Sequence, residues 1–61
     1  MNKDRKAKID EVVKTLETLR DEEQEAFDNL PESLQGSEKG QAMSTAIEAI
    51  DNAVSELENI E

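Results

Sequence analysis

The sequence predicts an all-α protein, an antiparallel helical hairpin that dimerises into a four-helix bundle. Three observations predict it. Apolar residues recur every three or four positions in both halves, without the period-two alternation that marks a strand. The one proline and both glycines fall mid-chain, at Pro31, Gly36 and Gly40. The apolar stripe in each half is wider than one neighbouring helix can cover.

In the first half the stripe follows from taking Ile9 as heptad position a. Ile9, Leu16, Glu23 and Leu30 then occupy a, and Val12, Leu19 and Ala26 occupy d, with Val13 and Phe27 at e. Glu23 is the polar exception. It reads either as a stripe that drifts and leaves Glu23 at the rim, or as a polar a residue that sets register or oligomeric state. The helix is expected over about 4–28, capped by Asn2 or Asp4. Pro31 pushes Leu30 toward an extended conformation and so ends the helix before it. Asn29 suits the left-handed position that closes many helices.

Residues 29–38 are expected to form the connection. Pro31 to Gln35 reads as one helical turn, with proline at its first position and Gly36 at its end. Ser37 reads as the N-cap of the second helix, with Glu38 in its first turn. Gly40 weakens that turn and argues for a start nearer Gln41, giving a helix over about 39–59. In this helix Met43, Ile50 and Leu57 fall at a, Ala46, Ala53 and Ile60 at d, and Ile47 and Val54 at e. So short a connection folds the helices back antiparallel.

Charge favours the same orientation. Residues 1–14 carry +2 and residues 15–61 carry −11. An antiparallel hairpin brings Lys3, Arg5, Lys6 and Lys8 beside Glu56, Glu58 and Glu61, relieving a basic N-terminus and an acidic C-terminus that each oppose the helix dipole.

A chain of 61 residues without cysteine or histidine has neither a disulfide nor a common zinc site to support its small core. A second copy is the remaining device, so a homodimer is expected. Its core and interface are assigned to Ile9, Val12, Val13, Leu16, Leu19, Phe27, Met43, Ile47, Ile50, Val54 and Leu57. Ala46, Ala49 and Ala53 are compatible with a close helix approach, and equally with plain helix propensity.

No catalytic residues stand out. Histidine, cysteine, tyrosine and tryptophan are all missing, and the serines have no histidine partner. Gly36 and Gly40 match no phosphate-binding pattern. The run Asp21 to Glu25 lacks the histidines of helical di-metal sites, so no metal and no cofactor is expected. The net charge of −9, with an isoelectric point near 4.3, argues against direct nucleic-acid binding and against anionic membranes. No apolar run reaches bilayer length and no secretory h-region is evident, which makes the cytoplasm the expected location. What the charge permits is attraction to a basic protein surface. Asp21, Glu22, Glu25, Asp28 and Glu32, near the turn, are the candidate partner-binding residues. The turn leucines Leu30 and Leu34 are a second candidate.

The segment Arg20 to Gly40, RDEEQEAFDNLPESLQGSEKG, is not generic. With the later helix Ala46 to Ile60 it resembles short acidic phage-encoded helical proteins, mostly of unassigned function, over about two thirds of the chain. Many members of that group carry tyrosine where Phe27 stands and methionine where Leu30 stands, changes that keep the bulk. The resemblance implies an inhibitor of a host defence protein, working in the cytoplasm of an infected bacterium. A small phage assembly protein is an alternative. A designed hairpin is another, opposed by the irregular turn and the polar a position.

Overall fold

The computed structural model describes residues 2–60. It contains α1 (Lys3–Asp28), the single turn α2 (Glu32–Gln35) and α3 (Glu38–Glu58). No strand occurs among the described residues. Helix α1 packs along α3, giving a rod of 48 × 15 × 11 Å. The two run antiparallel: Arg20 of α1 reaches Asp51 of α3, while Glu58 of α3 lies in one groove with Val13.

Side-chain caps set the helix starts. Asn2 Oδ1 accepts the Arg5 backbone N–H at 2.9 Å, and Ser37 Oγ accepts that of Gly40 at 3.4 Å. Each satisfies one of the free donors of a first helical turn.

Three details differ from the sequence expectation. Helix α3 starts at Glu38, not nearer Gln41, so Gly40 lies inside its first turn. Gly40 is buried, and a Cβ there would lie 2.7 Å from the Leu34 carbonyl oxygen and closer still to that of Gln35. The glycine therefore lets the start of α3 pass against the end of α2; it does not break the helix. Pro31 precedes α2 with an extended ψ of 146°, one residue earlier than expected. Its carbonyl accepts from the Leu34 and Gln35 N–H groups.

Asn29, third, is right-handed, with φ −84° and ψ −6°. A left-handed closure is not needed, because Gln35 Nε2 donates to the carbonyls of both Phe27 and Leu30 at 3.3 Å. A side chain from α2 thus caps the end of α1 and fixes the path of the turn.

The core is thin. Val13 and Val54 are the buried apolar side chains, at 8% and 5% exposure. Around them Ile9, Leu16 and Phe27 of α1, Leu30 of the turn, Met43, Ala46, Ile47, Ile50, Ala53 and Leu57 of α3, and Ile60 just after it, are half-buried. Glu23 is half-buried on the same line, without an ion pair or side-chain hydrogen bond among the described residues. In α1 the inner line is therefore a and e. The d positions Val12, Leu19 and Ala26 remain exposed.

The ionic contacts also differ from expectation. Among the described residues, the ion pair joining α1 to α3 is Arg20–Asp51 at 2.9 Å, while Lys6 pairs within its own helix, with Asp10. Glu58 does share a groove with Lys6 and Lys14. Glu61 lies outside the described residues.

Candidate interaction surfaces

Packing along the a/e line gives the hairpin two unlike broad faces. Positions b and d lie about 80° to either side of that line. Because the helices are antiparallel, equal positions of both fall on the same side. The b side is polar. Arg20 and Asp51 meet there, and a groove next to Val13 is lined by Lys6, Asp10, Lys14, Glu17 and Glu58. Arg20 also reaches Asp21, at 3.4 Å. The hydrogen bond to Asp51, and then the charges of Asp51 and Asp21, raise the Arg20 guanidinium above its ordinary value despite some desolvation.

The opposite side, that of d and g, is apolar in its centre. Val12 is 50% exposed and Leu19 47%, with Leu16 half-buried between them. An open groove here is lined by Lys8, Glu11, Val12, Thr15 and Leu16. On α3 the same face is built of small side chains, exposed Ala42 and Ala49 and half-buried Ala46 and Ala53.

The surface area fits a rod. The chain exposes 4727 Å². A compact monomer of its 6.8 kDa mass exposes about 4,000 Å². The excess belongs to the elongated 48 × 15 × 11 Å shape.

The five acidic candidates are all exposed. Asp21, Glu22, Glu25 and Asp28 share an arc of about 120° on the outer side of α1. Asp21 contacts Arg20 and Asp28 accepts from Gln24 Nε2 at 3.0 Å. Glu22 and Glu25 have no ion pair among the described residues. Glu32 continues the acidic surface at the first turn of α2. Leu34, at 46% exposure, is the turn leucine left open, whereas Leu30 is half-buried.

Among the described residues no group of three or more carboxylates is placed to hold a metal ion, and no helix is long and apolar enough to cross a membrane. Comparison with protein-family models, curated proteins and solved structures gives no match.

Proposed function

We propose that the protein is a binding module without catalytic activity, a homodimeric helical hairpin that docks an acidic surface onto a basic surface of another protein. The observation that carries this reading is the outer arc Asp21, Glu22, Glu25 and Asp28, continued by Glu32, exposed on a scaffold of net charge −9. Held on a capped helix, these charges are fixed relative to one another. A fixed array steers association and selects a complementary pattern better than a mobile chain does. The apolar d/g face supports the homodimer.

The likeness of Arg20 to Gly40 to short phage proteins gives the partner its class: a host defence protein, in the cytoplasm of an infected bacterium, whose nucleic-acid or subunit surface is blocked. Affinity purification from a lysate of phage-infected bacteria, followed by binding to the purified target, tests the reading. The expected target is a defence or nucleic-acid enzyme with a basic surface. Binding weakens with salt, and weakens further in Asp28→Lys/Glu32→Lys. Recovery of phage structural proteins alone, or capture insensitive to both salt and charge reversal, overturns it.

A further inference from the structure

We propose that the occupant of the apolar d/g face is a second copy of the chain, docked with its α1 antiparallel to the first α1 about a two-fold axis near Thr15 and Leu16. The inference rests on the homodimer reading above and gives it a geometry.

The face is self-complementary in one register. An antiparallel helix pair centred between Thr15 and Leu16 sets Val12 against Leu19 of the other copy, and Leu19 against Val12. Both exposed apolar side chains are then covered, and Leu16 lies next to the axis, opposite Thr15 of the other copy. Sliding by one heptad either sets Arg5 against Leu19, or spends the contact on Ala26 and leaves the basic end without a counterpart.

Charge selects the same arrangement. Within α1, residues 3–14 carry +2 and residues 15–28 carry −5. Antiparallel pairing lays each basic half on an acidic half. On the rim of the apolar patch, Lys8 falls opposite Glu22, and Arg5 beside Glu22 and Glu25. All four are exposed and have no ion pair among the described residues, so they are available to the second copy. The other two-fold arrangement places its axis along the helices and packs α1 on α3 of the second copy. It would stack the two turn ends, where residues 15–47 carry −6 in each chain. The favoured arrangement separates those ends by the length of the rod. It engages Glu22 and Glu25 at the dimer rim, which narrows the acidic surface proposed above for another protein to Asp21, Asp28 and Glu32.

Cysteine cross-linking tests the geometry, since the chain has no cysteine of its own. A disulfide needs Cα atoms within about 7 Å. Thr15→Cys, next to the axis, is expected to link to itself under mild oxidation. Lys8→Cys and Glu22→Cys are each expected to link poorly alone and readily when mixed. Lys8→Glu is expected to weaken the dimer by about tenfold or more, and Lys8→Glu/Glu22→Lys to restore it. All these positions are exposed, so the hairpin itself is undisturbed. A monomer at tens of micromolar overturns the proposal, as does a dimer in which Thr15→Cys fails to self-link. Loss of host-protein binding in Asp28→Lys/Glu32→Lys leaves the cross-links unchanged, so the two readings fail separately.

Discussion

Arg20 and Asp51, separated by 31 positions in sequence, meet at 2.9 Å and tie the middle of α1 to the middle of α3. The pair marks the polar broad face of the hairpin. Both side chains remain partly exposed, so solvent screens the attraction and its benefit is small. A double-mutant cycle with Arg20→Gln and Asp51→Asn is expected to show favourable coupling in thermal unfolding at low salt. The coupling should vanish at high salt. Coupling that persists at high salt would mean that the pair is desolvated, for example beneath a partner.

Gly40 supplies a sharper test, because two rules oppose each other there. Helix propensity favours Gly→Ala by about 1 kcal/mol. The space does not allow it, since a Cβ would strike the carbonyls of Gln35 and Leu34. Backbone is a poor thing to displace, so Gly40→Ala is expected to destabilise by about 1–3 kcal/mol. Gly36 is the control. It has nothing within 4 Å of a Cβ and a φ of −88°, which alanine adopts freely. Gly36→Ala is expected to be neutral or to stabilise by about 0.4–1 kcal/mol. Urea unfolding of both variants decides the matter.

Gln35 closes the turn by donating to Phe27 and Leu30. Gln35→Ala leaves those carbonyls to water and should cost about 0.5–1.5 kcal/mol. Hydrogen exchange should place the loss. Amides near the end of α1 and the start of α3 are expected to exchange faster, with those around Val13 unchanged. Uniform acceleration would instead mean that the turn and the core unfold as one unit.

How much of this was legible depends on whether a residue acts locally. Asn2, Pro31 and Ser37 act on neighbours in sequence, so the caps and the break were legible from them, with Asp4 a rival to Asn2 and Gly40 wrongly moving the expected start of α3 toward Gln41. Gly40 and Gln35 act across the turn. Nothing in a glycine or a glutamine says which carbonyl it will meet until α2 is in place, so both were missed. The apolar stripe was legible as a width but not as an order. Val12, Leu19 and Ala26 make d look like an inner line, since e holds Lys6 and Arg20. Long basic side chains can lay their stems along a seam and keep their charge in water, which makes e compatible with the inside. The acidic residues carry no such ambiguity: Asp21, Glu22, Glu25, Asp28 and Glu32 are exposed, as their charge demands.

Two valines on α1 and α3 separate the hairpin core from the proposed dimer contact. Val54 is 5% exposed and Val12 is 50% exposed. Val54→Ala removes buried methyl groups and should cost about 1–3 kcal/mol at any protein concentration. Val12→Ala should cost less than about 0.5 kcal/mol where the chain is dilute and monomeric, as exposed substitutions do. At concentrations that support the dimer its cost should rise, because binding to the folded form adds stability by mass action. Unfolding midpoints measured over a hundredfold range of concentration are the check. A cost at Val12 that stays small throughout would show that the apolar face is not covered by a second copy.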